Sequence, residues 1–275
     1  MFFQCGKFQL SLERPLIMGV VNVTPDSFSD GGQLANPQAG AAYARRLIDE
    51  GADIIDIGGE STRPGSRGVT LDDERRRVLP VLEQLAGTAI PISIDTQKPE
   101  LMREAIAAGA AMINDVNALQ APEALATIAA SDAAVCLMHK QGSPADMQTA
   151  PHYQDVVGEV SSFLSERVRS ARAAGIDAAR IAIDPGFGFG KTLAHNLELL
   201  RAIGRFREIG AVLAVGISRK SMLGAITGRD TGERIFASIA AALVAVEKGA
   251  HIVRVHDVAA TRDALAVWAA INGKT

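Results

Sequence analysis

Residues 38–60 read QAGAAYARRLIDEGADIIDIGGE, and they hold one complete helix-to-strand unit. Alanine, leucine and charged side chains follow one another at helical spacing over 38–50. Gly51 comes next, where a residue without a Cβ closes a helix most easily. Asp53–Ile57 is rich in isoleucine, as a strand covered on both faces requires. The strand then breaks into Gly58, Gly59 and Glu60.

The same unit recurs along the chain. Strands are predicted at Leu16–Val21, Asp53–Ile57, Ile90–Ile94, Met112–Ile113, Ala134–Met138, Ile181–Ile183, Val212–Val215 and Ile252–Val255. Helices are predicted near 38–50, 73–86, 99–108, 121–130, 154–174, 193–208, 232–248 and 257–271. Gly109, Gly175 and Gly249 stand where Gly51 does, just past a helical stretch. Eight strands, each followed by a helix, predict an α/β fold: a (β/α)8 TIM barrel, with residues 1–275 as a single domain. The length of 275 residues suits that fold. An open doubly wound sheet is the alternative. It would need fewer strands and usually an early G-x-G-x-x-G, which does not follow the first strand here.

Composition narrows the class. Hydrophobic residues reach 48% but aromatic residues only 4%, so the core must be aliphatic. A net charge of −3 makes no electrostatic case for nucleic acid or an anionic membrane surface. No run of 18 apolar residues exists to span a bilayer. The N-terminus lacks the basic and apolar regions of a secretion signal. Cys5 and Cys136 fit reduced thiols, so a cytoplasmic location is expected.

The strands end in polar residues: Asn22, Gly58-Gly59-Glu60, Asp95, Asn114, His139, Asp184, Ser218-Arg219-Lys220, and Arg254 with His256. In a barrel those ends converge on one pocket. Two long loops, Asn22 to Asn36 and Gly58 to Thr70, are rich in Gly, Pro, Ser, Thr and Asp, as functional lids are. Plain structural roles stand beside these readings. Asp95 can belong to a turn and cap, Asp257 can cap the last helix, Asn117 can stabilise its own loop, and Arg254 can form a buried pair with an aspartate. Such roles explain single residues better than they explain polar groups at every strand end.

Three clusters carry more chemistry. Ser218-Arg219-Lys220-Ser221 leaves a strand and opens a short helix, a place that favours anions. Asp184 to Lys191 (DPGFGFGK) offers glycines for close approach and two phenylalanine faces for a flat ligand. It resembles a phosphate-binding loop only superficially, being one residue short of that spacing. Arg254 and His256 alternate onto one side of a strand and suit a phosphate or diphosphate.

The segments Met18 to Gly32 (MGVVNVTPDSFSDGG) and Gly51 to Gly65 (GADIIDIGGESTRPG) resemble the two long signatures of the dihydropteroate synthase family. Ile94-Asp95-Thr96, Ile113-Asn114-Asp115, Leu137-Met138-His139, Asp184 to Lys191, Ser218 to Ser221 and Arg254 to Val258 follow in the family's order. Lys140 departs from it, standing where a methionine is common. The resemblance implies condensation of 6-hydroxymethyl-7,8-dihydropterin diphosphate with para-aminobenzoate, giving 7,8-dihydropteroate and diphosphate in folate biosynthesis. It implies sulfonamides as competing ligands, a magnesium ion and a homodimer.

It also implies roles. Asp95, Asn114, Met138, Asp184, Phe189, Lys220 and Arg254 would hold the pterin. Asn22, through magnesium, with Thr62, Arg63, Arg254 and His256, would hold the diphosphate. Phe28, Thr62, Pro64, Lys220 and Ser221 would enclose para-aminobenzoate. Asp95, Lys220 and Arg254 would be catalytic, with Asp95 stabilising a pterin cation on an SN1-like path. A corrinoid-linked methyltransferase of the related pterin-binding barrels would lack both long signature loops. A non-catalytic pterin-binding paralogue would have lost Asn22, Asp26, Thr62 or Arg63, and all four are present.

Overall fold

The computed structural model describes residues 1–24, 36–61, 66, 68–142 and 147–273. Ten strands and nine α-helices are found among them. The strands are β1 (Phe2–Cys5), β2 (Phe8–Ser11), β3 (Leu16–Asn22), β4 (Ile54–Gly58), β5 (Ile92–Asp95), β6 (Met112–Asp115), β7 (Ala134–Met138), β8 (Ile181–Asp184), β9 (Val212–Val215) and β10 (Ile252–Val255). The helices are α1 (Pro37–Asp49), α2 (Leu71–Gln84), α3 (Pro99–Ala107), α4 (Ala124–Ala129), α5 (Val156–Ala173), α6 (Leu193–Arg201), α7 (Ser221–Thr227), α8 (Ile235–Glu247) and α9 (Val258–Ile271).

Strands β3 to β10 close into a parallel barrel in chain order, with β10 beside β3. The predicted (β/α)8 TIM barrel is therefore the observed fold. Two predicted helices are more broken than expected. The 193–208 stretch is α6 followed by a 3-10 turn at Ile203–Ile209, and the 232–248 stretch is a 3-10 turn at Thr231–Glu233 followed by α8. Helix starts follow local chemistry. Asn36 Oδ1 accepts the Ala39 N–H at 2.7 Å with Pro37 at the first helical position, and Thr70 Oγ1 caps α2 through the Asp73 N–H.

The period of two divides the strands into two cores. Ile17, Val21, Ile55, Ile57, Ile94, Val135, Leu137, Leu213 and Val253 face outward and join the helices in the larger cluster. Leu16, Met18, Ile54, Met112, Ala134, Cys136, Ala182, Val212, Ala214 and Ile252 face inward and fill the barrel. The β1–β2 hairpin has no counterpart in the sequence-based expectation. It plugs the N-terminal mouth: Phe3 and Cys5 are fully buried among the first inward residues of the strands, with Phe8 and Leu10 packed alongside. The C-terminal mouth is left for a ligand.

Truncating the plug tests this account. Phe3→Ala is expected to lower the unfolding free energy by about 3–5 kcal/mol, as buried aromatic truncations do. Urea denaturation measures it, and a loss well below ~1 kcal/mol would remove the hairpin from the core.

Candidate active site

The inward positions turn polar at the C-terminal ends. Asn22, Gly58, Asp95 and Asn114 lie in one continuous register across β3, β4, β5 and β6, and Met138 pairs with Asp184 across β7 and β8. All but Gly58 border a cavity of about 360 Å³. Ser218, Arg219, Lys220, Ser221, Arg234, Arg254, His256 and Phe189 also line it. Phe28, Thr62, Arg63 and Pro64 lie outside the described residues.

The floor of the cavity is ionic. Arg254 Nε donates to Asp56 Oδ2 at 2.6 Å, and its Nη2 donates to Asp95 Oδ2 at 2.9 Å. Asn114 Nδ2 donates to the same Asp56 oxygen at 3.1 Å. That bond settles the amide's orientation and turns the Asn114 carbonyl away from Asp56. Arg254 thus forms the buried pair with aspartate while also bordering the cavity. Asp56 is 0% exposed and was missed as a site residue. Its signal was present: it stands two residues after Ile54, so it faces the barrel interior, where a carboxylate needs a cation.

The walls are set by two loops. Asp184 Oδ1 accepts the Gly186 N–H at 2.7 Å. Its Oδ2 lies 3.6 Å from where a Cβ on Gly216 would stand, and Gly216 also borders the cavity. Gly186 has φ +71°, and a Cβ there would lie 1.8 Å from the His139 carbonyl oxygen, so only glycine fits. Lys220 Nζ donates to the Phe187 carbonyl and sits 4.4 Å from the Phe189 ring centre.

At the rim, Ser218 Oγ lies 3.1 Å from His256 Nδ1. Arg219, at φ +58°, grips Asp257 in two-pronged fashion, Nε to Oδ2 at 3.0 Å and Nη2 to Oδ1 at 2.5 Å. Asp257 precedes α9, yet its side chain caps nothing. The pair joins the loop after β9 to the end of β10. The stem of the loop after β4 is anchored too, by Lys98 between Glu60 and Glu74, and by Arg77 Nη1 on the Gly59 carbonyl at 2.8 Å.

The electrostatics follow from burial. Burial raises Asp95 to about 7 against the pull of Arg254, with Asp56 and Glu74 adding to the rise. Burial likewise raises Asp184, although Lys220 opposes it. Burial lowers Lys220 to about 8 despite Asp184 nearby. For Arg254 the carboxylates outweigh burial and its pKa is raised. Three carboxylates, Asp56, Asp95 and Asp184, face two cations, Arg254 and Lys220. With Asp95 ionised the three carboxylates outnumber the two cations beside them, which suits a ligand that becomes positive there, while Arg219 and Arg234 border the rest of the cavity. Among the described residues, no group of three or more His, Cys, Asp or Glu side chains forms a metal site.

Asp95 makes stability depend on pH. Unfolded, it titrates near an ordinary aspartate's ~3.9; folded, its value is raised. Between the two, the folded state keeps a proton that the unfolded state has lost, so its contribution is full below the window and is lost as pH rises to about 7. Urea unfolding of Asp95→Asn against the native protein should shift in the variant's favour from pH 4 to pH 8. An unchanged difference would mean that Asp95 titrates as it does in water.

The pterin binding enzyme family matches residues 18–256. The dihydropteroate synthase of Neisseria meningitidis serogroup C is 52% identical over 98% of this chain and 97% of that protein. A crystal structure of Yersinia pestis dihydropteroate synthase with a sulfonamide drug complex has a TM-score of 0.96 at 43% identity, covering 99% of this chain and 100% of that one. The Burkholderia cenocepacia dihydropteroate synthase complexed with 7,8-dihydropteroate has a TM-score of 0.90 at 47% identity, covering 99% and 96%. A nearly full-length match in sequence and fold places this chain in the dihydropteroate synthase family of pterin binding enzymes.

Proposed function

We propose that this chain condenses 6-hydroxymethyl-7,8-dihydropterin diphosphate with para-aminobenzoate, releasing diphosphate and forming 7,8-dihydropteroate in folate biosynthesis. The carrying observation is the convergence of Asp184, Asn114 and Lys220 above the Asp56–Arg254–Asp95 floor. A pterin edge offers adjacent N–H donors beside a carbonyl. A carboxylate takes the donors, an amide both donates and accepts, and an ammonium serves the carbonyl. The Burkholderia enzyme holds 7,8-dihydropteroate and the Yersinia enzyme a sulfonamide drug, and we extend both ligands to this chain.

The pterin would lie against the guanidinium face of Arg254, between Met138 and Phe189. The C–O bond to diphosphate breaks first, leaving a cation spread over the pterin. Ionised Asp95 stabilises that cation electrostatically. The amine of para-aminobenzoate then forms the C–N bond and gives up one proton. Asn22, Thr62, Arg63, Arg254 and His256 would hold the departing diphosphate. Phe28, Thr62, Pro64, the Lys220 stem and Ser221 would enclose para-aminobenzoate, its carboxylate at the start of α7.

The residues present fit magnesium. Asn22 supplies one neutral oxygen at the cavity edge, and this ion is commonly held by few protein ligands, waters and phosphate oxygens. When bound, it would neutralise charge on the diphosphate. We further propose a single domain over residues 1–275 and a cytoplasmic location, which suits the unpaired, buried Cys5 and Cys136. No helix among the described residues is long and apolar enough to cross a membrane. A homodimer would cover the apolar side chains that α8 and α9 expose, Phe236, Val244, Val267 and Ile271.

Diphosphate release should require both substrates and magnesium, and tight pterin binding without release would overturn the enzyme reading. Asp95→Asn should lower kcat by at least about tenfold, the scale of a lost electrostatic stabiliser. In the native enzyme kcat/KM should rise as pH passes about 7 and Asp95 ionises. Unchanged turnover with pterin still bound would remove the electrostatic role. In sedimentation equilibrium the native protein should run as a dimer and Phe236→Glu as a monomer; a native monomer at micromolar concentration would exclude the assembly.

A further inference from the structure

The loop after β8 contains a buried cation that the chemistry above does not use. Lys191 is 2% exposed and does not border the cavity, whereas Phe187, Gly188 and Phe189 of the same loop do. Its Nζ donates to the carbonyls of Gly186 at 2.9 Å and Phe189 at 3.1 Å, and lies 3.0 Å from His139 Nδ1. An ammonium satisfies all three contacts as donor. An amine still donates to both carbonyls and accepts from the imidazole N–H, so the arrangement holds in either protonation state. The side chain therefore reaches into its own loop rather than toward a substrate phosphate.

The surrounding contacts leave the loop little freedom. Cβ atoms on Gly186 and Gly190 would lie 1.8 Å and 2.3 Å from the carbonyl oxygens of His139 and Gln141. Asn196 Oδ1 accepts the Gly188 N–H at 2.8 Å, and its amide donates to the Lys191 carbonyl at 3.2 Å. The outer side of the loop supplies both partners of Lys220, the Phe187 carbonyl and the Phe189 ring. The residues that Lys191 grips, Gly186 and Phe189, bracket the carbonyl on which Lys220 rests.

We propose that Lys191 is a positioning residue: it fixes the 186–189 turn so that the Phe187 carbonyl and the Phe189 ring aim the Lys220 amine at the pterin. The proposal rests on the reading of Lys220 as a pterin contact. It explains why the DPGFGFGK stretch ends in a lysine although it is no phosphate-binding loop.

A double-mutant cycle tests it. Affinity for 6-hydroxymethyl-7,8-dihydropterin diphosphate is measured by calorimetry for the native protein, Lys191→Met, Lys220→Met and the double variant. Each single variant should weaken binding by at least about tenfold, the loss of a hydrogen bond involving a charged group. The double variant should lose clearly less than the sum of the two single losses, because Lys191 acts mainly through Lys220. The KM for para-aminobenzoate in Lys191→Met should rise less than the pterin dissociation constant does, since the stem of Lys220 and not its amine reaches that ring. Additive losses, or full affinity in Lys191→Met, overturn the proposal. Full affinity in Lys220→Met overturns instead the Lys220 reading on which it stands. If circular dichroism shows Lys191→Met unfolded, Lys191→Gln replaces it under the same criterion, since its shorter side chain cannot hold both carbonyls.

Discussion

Arg254 reaches across the barrel to two carboxylates, Asp56 on β4 and Asp95 on β5, at 2.6 and 2.9 Å. Below this contact the barrel is filled almost wholly by apolar side chains, and above it lies the cavity. Placing three charges there is costly, because each has lost water. One guanidinium can lower that cost for two carboxylates but cannot cancel it, and the raised pKa of Asp95 records the shortfall. The same shortfall is useful chemically. Carboxylates that outnumber the cations beside them favour a transition state that develops positive charge at that end of the cavity.

The contact also organises its neighbours. Asp56 accepts from Arg254 and from Asn114, so one oxygen orients both a cation and an amide that border the cavity. Strands β4, β5, β6 and β10 are thereby joined across the barrel by side chains as well as by backbone ladders. Such a network holds its members in place before a ligand arrives, the condition for electrostatic stabilisation without reorganisation.

The loops extend that order outward in different ways. The loop after β8 is held by glycines at close approach, by Asn196 and by Lys191. The loop after β9 is held by the Arg219–Asp257 pair and by Arg234 on the Arg219 carbonyl at 3.0 Å. The stem of the loop after β4 is held by Lys98 between two glutamates. Charged residues that look catalytic in a list of strand ends are thus partly structural. Arg219 borders the cavity yet grips Asp257, Lys220 borders it while resting on the Phe187 carbonyl, and Lys191, bound within its own loop, does not border it.

The sequence by itself determined the barrel, because strand and helix periods are local and repeat eight times. It also marked Asn22, Asp95, Asn114, Asp184, Lys220 and Arg254, because a polar residue closing an apolar strand must face either solvent or a ligand. The N-terminal hairpin was not legible: Phe2–Cys5 and Phe8–Ser11 are too short to announce a strand pair, and the mouth they plug exists only once the barrel closes. Asp56 hid inside an apolar strand, since its partner Arg254 lies almost two hundred residues away in the chain. Lys191 and Lys220 look alike in sequence, each a lysine beside glycine or serine in a strand-end loop. Only tertiary structure separates them, because a long side chain takes its role from the acceptors it reaches: Lys191 turns back onto its own loop, whereas Lys220 crosses to the loop after β8.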